Sequence, residues 1–145
     1  VLILDQVTDP QNVGAIIRSC AAFGADALIM QDKNAPAESG AMVKASAGTI
    51  EFLPVCRVTN LSRAIEHLKK AGFWVAGMDG YAETTIDKMN KNGRIAIVMG
   101  SEGKGMRRLV EESCDETVKL PIDARVESLN VSTAAAIALY EMSRE

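Results

Sequence analysis

The sequence predicts an α/β fold, a mostly parallel sheet flanked by helices. Three observations carry that expectation. Short β-branched apolar runs alternate along the chain with segments whose apolar residues recur at helical spacing. Ile95–Met99 is apolar on both faces, as a central parallel strand is. The chain has 145 residues and 48% hydrophobic content, enough for one domain with its own core and no disulfide or metal staple.

Val1–Leu4 reads as the first strand. The turn-rich Asp9-Pro10-Gln11-Asn12 leads into a helix through Phe23, with Val13, Ile16, Ile17 and Cys20 as its apolar stripe and Gly24 as its stop. Ala27–Met30 is a second strand. Beyond Pro36 lies a short Ala- and Gly-containing segment, Glu38–Gly48, and then a third strand at Phe52–Arg57. Asn60–Ala71 is an amphipathic helix with Leu61, Ala64, Ile65 and Leu68 on one face, ended by Gly72. Phe73–Met78 is a fourth strand, and a single helical turn is expected near Ile86–Met89. After the fifth strand, Ile95–Met99, comes a Gly-rich loop at 100–105 and a short helix at Met106–Glu112. Glu116–Leu120 is a sixth strand stopped by Pro121. Ser128 or Asn130 opens a last helix that runs to Met142.

Composition excludes several classes. The balance of 16 Lys+Arg against 19 Asp+Glu, net −3, argues against non-specific nucleic-acid binding, while leaving room for a local basic patch. No apolar run reaches the roughly 18 residues of a membrane span, and no secretory signal opens the chain. Three dispersed Cys without a C-x-x-C, and a single His, make a metal site improbable and point to reduced thiols in a cytoplasmic protein. A start at VLILD, inside a strand and without an initiator Met, predicts one domain of a longer polypeptide.

In open α/β sheets ligands bind beyond the carboxyl ends of the strands. Three such loops are unusual: residues 5–14, 100–105 and 120–130. Three Gly in the second let backbone approach a ligand closely, but it is no P-loop, because Met106 follows Gly105 where Lys should stand. It is no dinucleotide fingerprint either, because Arg108 takes the place of the third Gly. A nucleotide-like ligand and a plain tight turn remain equal readings of that loop. Arg18 points away from its helix's apolar stripe. Taken alone, Arg18 and Asn12 read as a solvated cation and an N-cap, Ser128 and Asn130 as caps, and Glu102 as a ligand of its own turn. His67 reads as a surface residue. The last helix, Leu129 to Leu139, is apolar or small nearly all round, which fits a core helix or one packed on both its sheet and a second subunit.

Taken together the three loops carry a resemblance. DQVTDPQNVGAIIRSCAAFGA resembles motif 1 of the SpoU class of SPOUT RNA methyltransferases, IVMGSEGKGM resembles motif 2, and LPIDARVESLNVSTAAAIALYE resembles motif 3. They occur in the family's order across residues 5 to 141. The linking stretch PVCRVTNLSRAIEHLKKAGFWVAG is similar to the bacterial branch that modifies a guanosine ribose in large-subunit (23S) rRNA.

The resemblance implies a C-terminal deep trefoil knot, which topology rules alone would have disfavoured. It implies a single catalytic domain over 1–145 without the N-terminal RNA-binding extension of many members, and a homodimer with its site near the subunit interface. It implies S-adenosylmethionine as cofactor, held by backbone around Gly100, Leu120 and Leu129 with Ile122 and Ser132 nearby, and no metal. Asn12, Arg18, Glu102, Ser128 and Asn130 match the family's polar active-site positions. The implied reaction is methyl transfer to a ribose 2′-hydroxyl of RNA, rRNA before tRNA. In the family the motif 1 Arg is proposed as the base; since Arg is effectively always protonated, a phosphate-binding and charge-stabilising role is an equal reading. The competing functions are a non-catalytic RNA-binding or ribosome-assembly module on the same fold, and a nucleotide-binding oxidoreductase.

Overall fold

The structure is a computed structural model, and it describes residues 1–144. Six strands form one sheet in the order β3-β2-β1-β5-β4-β6, every pair parallel. The strands are β1 (Leu2–Asp5), β2 (Leu28–Gln31), β3 (Val55–Val58), β4 (Phe73–Met78), β5 (Arg94–Gly100) and β6 (Glu116–Val118). The helices are α1 (Pro10–Ala22), α2 (Gly40–Ser46), α3 (Leu61–Lys70), α4 (Arg108–Ser113) and α5 (Val131–Ser143).

The central strands are apolar throughout because both faces of the sheet are covered. Leu2, Leu4, Ala76, Ile97 and Met99 face one core, which α1 and α5 close with Val13, Ile16, Ile17, Cys20, Ala135, Ala138 and Leu139. Ile3, Val75, Ala96 and Val98 face the other, closed by Leu61 and Ile65 of α3 and Val110 of α4. Burial of Val13, Ile16, Ile17 and Cys20 follows the stripe read from the sequence.

Several boundaries move, each for a local reason. Pro10 to Asn12 are helical: Asp9 is the N-cap of α1, its Oδ1 accepting the Gln11 N–H at 2.8 Å, so Asn12 is not a cap. Glu38–Gly48 contains a helix, because Ser39 Oγ accepts the Met42 N–H at 3.3 Å and opens α2. The third strand begins at Val55, since Phe52 closes a 3-10 turn and Pro54 has no N–H to give a ladder. Helix α4 starts at Arg108, because the backbone of Arg107 is held elsewhere. Asn130, not Ser128, caps α5. Among the described residues no helix is long and apolar enough to cross a membrane.

Candidate active site

Strands β1 and β5 are neighbours at the centre of the sheet, with β2 and β3 added on one side and β4 and β6 on the other. Their carboxyl ends, Asp5 and Gly100, lie side by side in register. This is the switch point where open α/β sheets place their ligands. The three loops singled out in the sequence all leave the sheet from this end.

The loops meet through three side chains. Asn130 Nδ2 donates to Glu102 Oε1 at 2.9 Å and to Asn12 Oδ1 at 3.2 Å. Glu102 Oε1 also accepts the Val131 N–H at 2.9 Å. Asn130 Oδ1 accepts from Ser132 N at 2.9 Å, from Thr133 N at 3.3 Å and from the Ser132 hydroxyl. The Asn130 amide therefore has one workable orientation: oxygen toward the helix N–H groups, nitrogen toward two side-chain oxygens. Glu102 supplies negative charge at the positive end of α5, which favours it there. One residue from each loop is thus locked into a single network.

The other expected residues are placed as follows. Arg18 is exposed on α1 and pairs with no side chain among the described residues. It lies six residues from Asn12, about 9 Å along the helix and roughly 120° around it, so one protomer does not bring it into the network. Ser128 is exposed in the irregular segment before α5, also outside the network. Leu120 is half-buried against the larger core, Leu129 is half-buried, and Ile122 is exposed. Ser132 stands in the first turn of α5, where its N–H is taken up by the cap.

Gly100 is needed by its own loop. A Cβ there would overlap the backbone of Gly105 and Met106, which folds back as a bridge with Gly105 N–H donating to Ser101 O at 2.8 Å. Gly103 and Gly105 adopt φ of 79° and 69°, which side chains disfavour. Burial pushes the thiols of Cys20 and Cys114 up to about 12, which removes both as nucleophiles.

Two pairs escaped the sequence reading. Asp5 holds Arg107 across the end of the sheet. Buried Gln31 accepts the Gln6 N–H on its Oε1 at 3.0 Å, fixing Gln6 at φ 59° just after β1. An acid ending the apolar run VLILD was the one visible signal.

Comparison with known proteins gives the family. The SpoU rRNA Methylase family matches residues 1–140. The chain belongs to that family. Among SpoU relatives, the 23S rRNA (guanosine-2'-O-)-methyltransferase RlmB of Coxiella burnetii is 48% identical over 144 residues, covering 99% of this chain and 58% of its own length. The SpoU methyltransferase AviRb from Streptomyces viridochromogenes, solved in complex with the cofactor AdoMet, superposes with a TM-score of 0.90 at 29% identity, over 98% of this chain and 56% of that one. The A. aeolicus TrmH/SpoU tRNA modifying enzyme gives 0.86 at 25% identity, over 99% and 73%. The chain thus spans little more than half the length of the first two.

Proposed function

We propose that this domain transfers a methyl group from S-adenosylmethionine to a ribose 2′-hydroxyl of RNA, with a guanosine of large-subunit rRNA as target. The carrying observation is the Asn12–Glu102–Asn130 network, which joins the family's three motifs at the switch point. The RlmB relative supports rRNA over tRNA, and the reading places the protein in the cytoplasm with its RNA.

The residues present suit such a cofactor. Within residues 120–130, Ile122 and Val126 expose apolar side chains, and few backbone groups pair with one another. Apolar surface beside free backbone donors and acceptors is what an adenosine group requires. The backbone at Gly100, with Leu120, Ile122, Leu129 and Ser132, would hold it. When bound it supplies an electrophilic methyl on a sulfonium.

The chain's own residues then have separable tasks. Glu102 and Asn130 hold the three loops in one arrangement, and orientation of this kind is a large part of catalysis. Asn12 has its amide nitrogen free among the described residues to orient the ribose. Arg18 has its donors free for an RNA phosphate and for charge developing on the 2′-oxygen. Ser128, exposed two residues before Asn130, would help to orient the ribose.

A homodimer belongs to the same reading. Ile137 and Tyr140 are 42% and 53% exposed on the outer face of α5, and Phe23 packs edge-on against Tyr140 at 5.7 Å between ring centres. So does the C-terminal knot of the family, whose C-terminal segment would here be the chain that leaves β6 at the sheet edge and returns to lay α5 on α1 and β5.

Calorimetry with S-adenosylhomocysteine and with NAD tests the cofactor. Binding of the first alone is expected; binding of NAD alone would hand the site to an oxidoreductase. Transfer of labelled methyl by the full-length protein to rRNA and to tRNA tests the target. Cofactor binding without transfer to either RNA would overturn the catalytic reading.

A further inference from the structure

The Asn12–Glu102–Asn130 network leaves one question open: what holds the glycine-rich loop that delivers Glu102. Asp5, the last residue of β1, is 0% exposed. Among the described residues, its side chain is hydrogen-bonded by Arg107 alone. Its Oδ2 accepts the Arg107 backbone N–H at 2.7 Å, its Oδ1 accepts Nε at 2.8 Å, and Nη2 forms an ion pair with the same Oδ1 at 2.8 Å. A carboxylate without solvent contact is costly unless paired and hydrogen-bonded, and a guanidinium with two nitrogens on one oxygen, plus a backbone N–H on the other, supplies that pairing. The Arg107 side chain is 47% exposed, so the pair is closed on the acid side and open on the basic side.

The position of this pair gives it a task. Gly100, where the loop departs, is in register with Asp5 across the β1–β5 ladder. Arg107, where the loop returns, is bound to the Asp5 carboxylate. Both ends of the loop are therefore fixed by one residue of a neighbouring strand. Between them the chain has Gly103 and Gly105 in left-handed conformations and one internal bridge. Such a segment has much conformational freedom to lose, and little of its own to hold it. Glu102 rides on it and reaches the first turn of α5.

We propose that Asp5 and Arg107 form a clamp that presets the loop for cofactor binding, which makes both of them positioning residues. The proposal rests on the methyltransferase reading for what the loop binds, and on geometry alone for the clamp. Removing the Asp5 charge weakens every one of these contacts, and removing the Arg107 side chain leaves only its backbone N–H on Asp5, so either change loosens the loop: its amides open, the cofactor must order it on binding, and affinity falls by that amount.

The test uses Asp5→Asn, Arg107→Gln and the double variant, with S-adenosylhomocysteine titrated calorimetrically and amide hydrogen exchange followed by residue. Each single variant should weaken binding by about tenfold or more, and the double variant should be no worse than either single, because the two act as one unit. Exchange should quicken by about tenfold at residues 101–107, with amides of β2 and α3 unchanged. Arg107→Lys, which keeps the charge without the planar fork, should recover only part of the affinity. Binding and loop exchange within twofold of wild type would overturn the clamp, as would exchange that quickens uniformly across the sheet. If Asp5→Asn does not fold, Arg107→Gln, altered at a half-exposed side chain, decides alone. If the wild type itself binds no S-adenosylhomocysteine, the methyltransferase reading falls, and the exchange arm still decides the clamp.

Discussion

Arg18 and Glu102 both match active-site positions in the sequence, yet the structure gives them opposite situations. Glu102 is committed, with one oxygen shared between Asn130 and the first N–H of α5. Arg18 is uncommitted on an exposed helix face. Arg18→Ala should therefore leave folding and S-adenosylhomocysteine affinity nearly intact while single-turnover methyl transfer falls by roughly 10²-fold or more, the loss expected for one positioned catalytic donor. A fall within about threefold, under about 1 kcal/mol, would return Arg18 to an ordinary solvated residue. Arg18→Lys separates charge from geometry, since substantial rescue favours plain phosphate attraction. At this scale the motif residues were legible as types at a spacing, because the chemistry needs those types. Their partners were not. Nothing local ties Asn12 to a residue 118 positions on, or Asp5 to one 102 positions on; only strand order does so. Asn12 read as a cap because Asn favours caps, but Asp9 stands three residues earlier with Pro10 behind it, a stronger start.

At the scale of elements, the α1–α2 contact shows what backbone proximity demands. A Cβ on Gly14 would overlap Met42 O and crowd the Ala45 Cβ. Gly usually lowers helix stability, so Gly14→Ala should help an isolated α1. Here overpacking outweighs propensity: Gly14→Ala should cost about 1–3 kcal/mol and lower Tm by roughly 2–10 °C in a thermal melt. An unchanged or raised Tm would mean that α2 yields freely. Helices α1 and α3 were legible because each buries one periodic stripe, and β4 and β5 because both faces are covered. The region 38–53 was not, since a seven-residue helix and a 3-10 turn hold too few residues to show a period. The last helix shows the limit from the other side. It is apolar or small nearly all round, so its burial was legible, but not which face meets the sheet.

The whole molecule is tied at its carboxyl end by Glu141. Its Oε1 accepts from Lys91 at 3.2 Å and its Oε2 from Arg144 at 2.9 Å, joining α5 to the segment between β4 and β5. Burial works against the charge, yet these two hydrogen bonds hold the carboxyl below its ordinary value of 4.5. The unfolded chain then binds a proton more readily than the folded one. The stability contributed is complete above the ordinary value and is lost as pH falls through the lower, folded one. Glu141→Gln should flatten that part of the stability–pH curve measured by urea unfolding, and an unchanged acid limb would remove Glu141 from it.

The same helix poses the question of oligomeric state. Val131, Ala135, Ala138 and Leu139 face the core. By 100° per residue, Thr133, Ala136, Ile137 and Tyr140 form the opposite stripe, apolar but for the Thr133 and Tyr140 hydroxyls. An outer helix face is ordinarily charged, and this one carries no charge beside an exposed Phe23–Tyr140 pair. Arg18 stands one turn before Ala22 on the exposed side of α1, the helix against which α5 packs. A second copy seated on this face would cover the apolar stripe, and the Arg18 that one protomer leaves remote from Asn12 and Glu102 would have to come from that copy. The protein should therefore scatter light as a dimer at tens of micromolar, through an interface burying more than about 1,000 Å² in total. Tyr140→Glu places a charge on the stripe without touching the core. It should yield a folded monomer, with an unchanged circular dichroism spectrum, in which methyl transfer drops together with the dimer fraction. A wild-type monomer would remove the dimer. A Tyr140→Glu monomer with full transfer would show instead that each protomer brings Arg18 to its own substrate.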